Sequence, residues 1–372
     1  MMATGPRTDE GFHAAVRLDG GVDGTGPSER RKRVDICRFA SLRLRRSRSE
    51  TSDGARAGKR PLPLRILRGL AGFAAAVTVA SLLGNAATTP DERLEPESGK
   101  TVRVGDANVH YETWGTSGSP VVLLPGFAET TVAFSTTAPR LAAKGHVVYA
   151  LDLSSVGYTR GGRPADLADQ TRLVHDWAAK LGIEKPIVVG HSMGAAVAGN
   201  LGLVYPDSVG GVVFAGGDAL NMDFGDGLPQ WLATSTWMRS FYRIATRWTW
   251  IDQRFLAKSC GSDCTAFDGK AGAELTRKWM RPLTEGRTEE EMTRLIHDPW
   301  ILHLTAAQIR SIKVPKGIIW GEEDSAEGLR NSRTNLGNPP ERIIRGAGHQ
   351  MMMAAPERFA ASVHELSAAM CR

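Results

Sequence analysis

Three kinds of residue carry the chemistry this chain could perform: a serine between glycines, a histidine on a glycine-rich loop, and a carboxylate past a strand. Gly190-His191-Ser192-Met193-Gly194 follows the β-branched run Ile187-Val188-Val189 and precedes the small-residue stretch Ala195-Ala196-Val197-Ala198-Gly199. A strand that turns sharply into a helix lifts a serine hydroxyl clear of a sheet, and glycine is needed where a Cβ would meet neighbouring backbone. The Gly-x-Ser-x-Gly spacing alone is weak, since a chain of this length and composition yields roughly 0.3 matches by chance. Its meaning comes from the strand before it and the helix after it.

A serine hydroxyl is a poor nucleophile near neutral pH. It needs a base, the base needs an orienting carboxylate, and the developing oxyanion needs N–H donors already in place. Of the nine histidines, His349 sits in Gly346-Ala347-Gly348-His349-Gln350, directly past the apolar end of Arg342–Ile344. His110, His146, His175, His297 and His303 fall within expected elements or a helical insertion. His13 is in the N-terminal tail and His364 in the last helix, and His191 is too near Ser192 along the chain to reach back to it. For the acid, Ile318-Ile319-Trp320-Gly321 reads as a strand ending in a turn, and Asp324 lies three residues past Gly321. Asp218, in Gly216-Gly217-Asp218 after Val212–Ala215, is a rival, and Glu323 is a third candidate. The strand–turn context favours Asp324.

These groups need a scaffold, and the chain supplies one from about residue 100. Thr101–Tyr111, Val121–Leu124, Val147–Leu151, Ile187–Val189, Val209–Ala215, Gly317–Trp320 and Arg342–Ile344 read as strands. Helical stretches are expected at Thr131–Lys144, at Leu167–Leu181 with Gly182 as its stop, and at Pro356–Met370. Continuous apolar strands alternating with helices imply a mostly parallel sheet covered on both faces, an α/β fold. The alternation stops between Asp218 and about Ile312, a stretch holding six of the nine tryptophans. Helical candidates there are Pro229–Thr246, Gly272–Arg281 and Thr288–Ile296, forming an α-helical cap above the carboxyl edge of the sheet. Most of its aromatics read as the core of that helical layer, the remainder as lining of an apolar substrate pocket.

The order Ser192, Asp324, His349 resembles that of the α/β-hydrolase superfamily, over roughly Thr101 to Met370. Val109-His110-Tyr111-Glu112 before Val121–Gly126 looks like the family's first strands, and the inserted helices fall where the family carries its variable lid. Leu124-Pro125-Gly126-Phe127 sits where many members have His-Gly, so Pro125 departs from the pattern while leaving the following backbone donors available. Asp152–Thr159 resembles an Asp-x-x-Gly-x-Gly-x-Ser loop, with Ser155 in the first glycine place, and no role is transferred to it. The resemblance implies oxyanion donors at the backbone N–H groups of Phe127 and Met193. It implies an acyl-enzyme mechanism without metal or organic cofactor. The expected substrate is a small-molecule carboxylic ester with an apolar part. C–C bond hydrolysis and cofactor-free haloperoxidase or perhydrolase chemistry are alternatives on the same constellation, as is a catalytically silent binding module. A serine at the elbow argues against the epoxide hydrolase and haloalkane dehalogenase branches, which resemble this fold but place an aspartate there.

The domain plan is a basic tail over 1–60, a targeting or anchoring segment over 61–88, a hydrolase core over 100–218 and 313–372, and a cap over 219–312. The net charge of +6 is unevenly spread: residues 1–68 carry +8 and the remainder −2. The body therefore has no electrostatic case for nucleic acid. Residues 1–60 are rich in Gly, Ser, Arg and Asp and lack apolar periodicity, a composition that disfavours a packed core. Arg65 and Arg68 precede the apolar run Gly69–Leu83, and small residues follow at Gly84-Asn85-Ala86-Ala87. Those are the parts of a secretory signal or an uncleaved N-terminal anchor, although about 15 apolar residues is short for a span. The chain is expected to be exported or membrane-anchored through 69–83. Cys260-Gly261-Ser262-Asp263-Cys264 has the spacing for a small disulfide loop in an oxidising compartment, while Cys37 and Cys371 remain apart.

Overall fold

Short runs of β-branched and other apolar residues dictate strands that bury both faces. Ser119–Leu124 shows this: Val121 and Leu123 pack into one apolar cluster, Val122 and Leu124 into the other. The computed structural model describes residues 64–92, 94–154, 156–162, 166–217, 228–297 and 303–370. Asp218, Ser155, Trp300, Cys37 and Cys371 lie outside the described residues.

Eight strands form one sheet: β1 Lys100–Val104, β2 Ala107–Trp114, β3 Ser119–Leu124, β4 His146–Leu151, β5 Ile187–His191, β6 Gly211–Ala215, β7 Lys316–Gly321 and β8 Glu341–Ile344. Their order is β1-β2-β4-β3-β5-β6-β7-β8, antiparallel at β1–β2 and β2–β4 and parallel elsewhere. The stretch expected as one strand over Thr101–Tyr111 is two. Val104 pairs with Ala107 across a two-residue turn whose Gly105 has φ +55°, so the chain folds back on itself.

The helices are α1 Leu64–Ala87, α2 Thr137–Ala142, α3 Leu167–Lys180, α4 Met193–Val204, α5 Gln230–Ala233, α6 Thr236–Ala245, α7 Thr249–Cys260, α8 Gly269–Met280, α9 Gly286–His297, α10 Ala306–Ser311, α11 Ala326–Leu336, α12 Met351–Ala354 and α13 Pro356–Met370. One face of the sheet packs Val122, Val188, Phe214 and Ile318 against Trp177 of α3, Leu201 of α4 and Leu336 of α11. The other packs Val121, Val189, Val213 and Ile319 against Leu141 of α2 and Phe359 and Val363 of α13. Alternate strand residues thus feed opposite layers, which fixes every strand's register. The helix expected over Thr131–Lys144 begins as a 3₁₀ turn at Thr131–Phe134, and α2 starts only at Thr137.

Helices α5–α9 are inserted between β6 and β7. They reach the loops at the carboxyl ends of the strands: Trp279 Nε1 donates to the Ala128 carbonyl (3.0 Å), and the Gly348 N–H donates to the Cys260 carbonyl (2.7 Å). The reading of the insertion's tryptophans as mostly core needs correction. Trp279 is buried, but Trp231, Trp237, Trp248 and Trp250 are exposed. Periodicity places such residues on one face of a helix without fixing what that face meets. The apolar N-terminal segment is also longer than its composition suggested. Helix formation runs through the flanking Ile66-Leu67 and Gly84–Ala87, and Ile66–Ala87 is long and apolar enough, by length and composition, to cross a membrane.

Candidate active site

Ser192 stands between β5 and α4 with φ +49° and ψ −117°, a conformation that an L-residue adopts only under strain. The flanking glycines permit it. A Cβ on Gly190 would lie 2.3 Å from the Gly194 carbonyl oxygen, and one on Gly194 would lie 2.5 Å from that of Leu124. The Ser192 N–H is held by the Ala215 carbonyl at 2.8 Å, which locks the turn onto β6.

His349 lies past β8, and its Nδ1 is 2.8 Å from Asp324 Oδ2, past β7. Asp324 Oδ1 also accepts the Ser325 N–H at 2.8 Å. Burial on its own pushes the Asp324 carboxyl upward. The hydrogen bond and charge of His349, with the Ser325 N–H, outweigh it and hold the group below the ordinary carboxylate range. With Nδ1 turned to a carboxylate, the Nε2 edge of His349 is the one left to exchange a proton. Gly216-Gly217 runs close to both serine and histidine. A Cβ on Gly216 would touch the His349 ring at 3.4 Å, and one on Gly217 would lie 2.9 Å from the Ser192 carbonyl oxygen. Glu323 is directed elsewhere: its carboxylate accepts from the N–H (2.8 Å) and hydroxyl of Ser262. Asp218 lies outside the described residues.

The loop after β3 runs past the serine, where a Cβ on Gly126 would stand 3.0 Å from that of Ser192. Phe127 follows it, half-buried against the core. Met193 is buried and opens α4, so its N–H belongs to a first turn whose donors have no partner within the helix. The structure therefore brings Ser192, Asp324, His349, Phe127 and Met193 to one edge of the sheet.

A buried ion pair behind the serine was not anticipated. Glu129 Oε2 accepts the Gly126 N–H (2.7 Å) and faces His191 Nδ1 (2.8 Å), while Oε1 accepts from Gln350 Nε2 (2.9 Å). His191 Nε2 lies 2.9 Å from the His349 carbonyl oxygen. Both ring nitrogens of His191 face acceptors, so only the imidazolium satisfies both. Burial disfavours each charge, yet their attraction and hydrogen bonds win: Glu129 is held below its ordinary range and His191 above it. One pair thus fixes the loop carrying Phe127, the residue preceding Ser192 and the backbone of His349. The signal in the sequence was slight, a single carboxylate two residues past Phe127 and a histidine before the elbow serine, 62 residues apart.

The Asp152 loop is a second buried hub. Asp152 accepts the N–H groups of Thr131 (2.8 Å) and Tyr158 (2.9 Å) and faces His110 Nδ1 (2.9 Å), while His110 Nε2 meets the Ser98 carbonyl (2.9 Å). Burial lowers His110, but the Asp152 carboxylate and the Ser98 carbonyl carry it above its usual value. Gly157, at φ +93°, passes where a Cβ would lie 2.5 Å from the Asp152 carboxyl carbon. This hub anchors the chain that follows Glu129. Opposite it, Cys260 and Cys264 form a disulfide. The loop they close braces the histidine loop: Asp263 N–H donates to the Gly346 carbonyl (2.9 Å) and Gly348 N–H to that of Cys260 (2.7 Å). Among the described residues, no group of three or more His, Cys, Asp and Glu is placed to hold a metal ion.

An elbow serine, a strand-end histidine and a strand-end carboxylate on a mostly parallel eight-stranded sheet define a hydrolase architecture. Residues 121–362 match the alpha/beta hydrolase family, and the chain belongs to it. Among curated relatives, it is 34% identical over 123 residues to a monoacylglycerol lipase of Mycolicibacterium smegmatis, covering 30% of this chain and 44% of that protein. It is 34% identical over 127 residues to epoxide hydrolase A of Mycobacterium tuberculosis, covering 33% and 37% respectively. The matched regions thus span less than half the length of either relative. The meta-cleavage product hydrolase CumD of Pseudomonas fluorescens IP01 shares the fold, with a TM-score of 0.57 and 20% identity over 72% of this chain and 97% of CumD.

Proposed function

We propose that the protein is a serine hydrolase that cleaves a carboxylic ester through an acyl-enzyme. Ser192 attacks the acyl carbonyl and passes its proton to His349. Asp324 holds the ring and stabilises the imidazolium. The N–H groups of Phe127 and Met193 receive the oxyanion. The leaving alcohol takes the proton from His349, and water activated by the same histidine then releases the acid. The observation that carries this reading is the 2.8 Å His349–Asp324 pair set beside a serine held at φ +49°. The relationship to a monoacylglycerol lipase supports an ester substrate with an apolar acyl chain. Aspartate is the nucleophile expected of the epoxide hydrolase branch, and serine at that place favours acyl transfer.

In this proposal the inserted helices act as a cap over the sheet's carboxyl edge, and α1 anchors the hydrolase domain on the outer side of a membrane. Steady-state turnover of p-nitrophenyl esters tests the catalytic part. Ser192→Ala removes the nucleophile and is expected to lower kcat by about 10⁶-fold. Turnover within tenfold of the parent would reject it.

A further inference from the structure

The outer surface of the insertion carries large apolar side chains that nothing described in this chain covers. Phe241 of α6 is 68% exposed, Phe255 of α7 69% and Trp231 of α5 70%, with Trp248 and Trp250 exposed between them. On α6 and its exit, Trp237, Phe241, Ile244 and Trp248 recur at helical spacing, a single apolar stripe. A soluble surface seldom presents contiguous aromatics of this extent.

This patch is continuous with α1. Ser240 Oγ donates to the Ser81 carbonyl (2.8 Å), Trp237 Nε1 to Thr78 Oγ1 (3.0 Å) and Asn85 Nδ2 to the Thr236 carbonyl (3.2 Å), so α6 lies along the C-terminal part of α1. From Ile66 to Val77 α1 is exposed, and beyond Arg68 it is apolar on every side. At 1.5 Å per residue the stretch from Leu64 to Val77, ahead of the contact with α6, extends about 21 Å and so reaches deep into a hydrocarbon core of about 30 Å. Arg254 and Lys258 are exposed on α7, either side of Phe255. Tryptophan at the headgroup level with cations beside it suits a bilayer surface containing anionic lipid.

We propose that α1 and the aromatic face of α5–α7 form one bilayer-docking surface, with the insertion seated in the headgroup region and the active site fed with lipid esters from the membrane. The choice of substrate rests on the serine hydrolase reading, whereas the docking does not.

The full chain is reconstituted into vesicles of phosphatidylcholine with a minority of phosphatidylglycerol, whose acyl chains carry bromine near the headgroup. α1 contains no tryptophan, so quenching reports the body of the protein against lipid. Strong quenching in the parent is expected, along with its loss in the triple variant Phe241→Ser/Trp250→Ser/Phe255→Ser. That variant is further expected to keep its turnover of a soluble acetate ester within twofold while losing about tenfold on vesicle-borne monoacylglycerol. The soluble ester also reports that the variant is folded. Absence of quenching in the parent overturns the docking surface. So does a detergent-solubilised dimer that the triple variant abolishes, which would assign the patch to a second copy of the chain. If the parent is quenched but hydrolyses neither ester, the hydrolase reading fails and the docking surface stands.

Discussion

Replacing Glu129 by Gln isolates the buried pair behind the nucleophile. Both oxygens of Glu129 face donors: Gly126 N–H and His191 Nδ1 on one side, Gln350 Nε2 on the other. A Gln amide must point its NH₂ at one of those donors, and it removes the charge opposite a fully buried imidazolium. His191 then loses its proton; with Nε2–H donating to the His349 carbonyl its Nδ1 can only accept, which turns the amide NH₂ toward it and leaves the Gly126 N–H without an acceptor. Removing one partner of a buried pair costs about 3–5 kcal/mol. Here three hydrogen bonds converge on the carboxylate, which places the expected loss of unfolding free energy at about 4 kcal/mol at pH 7. The loops of Phe127 and His349 both lose a fixed contact, and a misplacement of about 1 Å in a reacting geometry costs roughly 10²-fold in kcat. Urea unfolding and p-nitrophenyl acetate turnover measure the two effects. The pH profile adds a sign. The depressed Glu129 contributes stability that is present above the unfolded carboxylate value of about 4.3 and is lost as pH falls through its folded value. The raised His191 contributes stability that is full below about 6.5 and is lost as pH rises through its folded value. The parent should therefore lose this stabilisation on both sides of that window, and Glu129→Gln should flatten the profile. A loss under about 1 kcal/mol with kcat within twofold would refute the assignment of a charged pair.

Three further substitutions probe the same site. Asp324→Asn leaves His349 without the acceptor that sets its tautomer, so kcat on a soluble ester should fall by about 10⁴-fold with KM little changed; a fall under tenfold would return the acid to Asp218. Gly194→Ala forces a Cβ to within 2.5 Å of the Leu124 carbonyl oxygen and 2.6 Å of that of Pro125, and should leave little folded protein by near-UV circular dichroism. Cys264→Ser opens the small loop that braces Gly346 and Gly348. By chain entropy it should cost about 2 kcal/mol of stability, and it should lower kcat more than it changes unfolding cooperativity. Unchanged thermal unfolding and turnover would separate that loop from the histidine.

What could be read from the sequence follows from how local each requirement is. Ser192 and His349 stand out because the glycines they need are immediate neighbours, and the strands that deliver them are short continuous apolar runs. Glu129 could not be found in this way: its partners lie 62 residues away at His191 and 221 away at Gln350, and only the sheet order brings them together. The β1–β2 turn was missed because Thr101–Tyr111 is extended on both sides of Gly105, and a reversal of direction leaves the apolar pattern almost unaltered. The exposed aromatics of α5–α7 show the limit of composition. Six tryptophans in one stretch mark it as unusual, but whether they face a core or lie exposed depends on which side of each helix the sheet occupies.

The central claim is that Ser192 is the nucleophile activated by His349. It is tested most directly by exposing the intact protein to a fluorophosphonate and locating the adduct by peptide mass spectrometry. A single adduct on Ser192, forming at least about 10²-fold more slowly in His349→Ala, is the predicted result. No adduct under conditions where the protein is folded, or labelling at another residue with Ser192 unmodified, would contradict it.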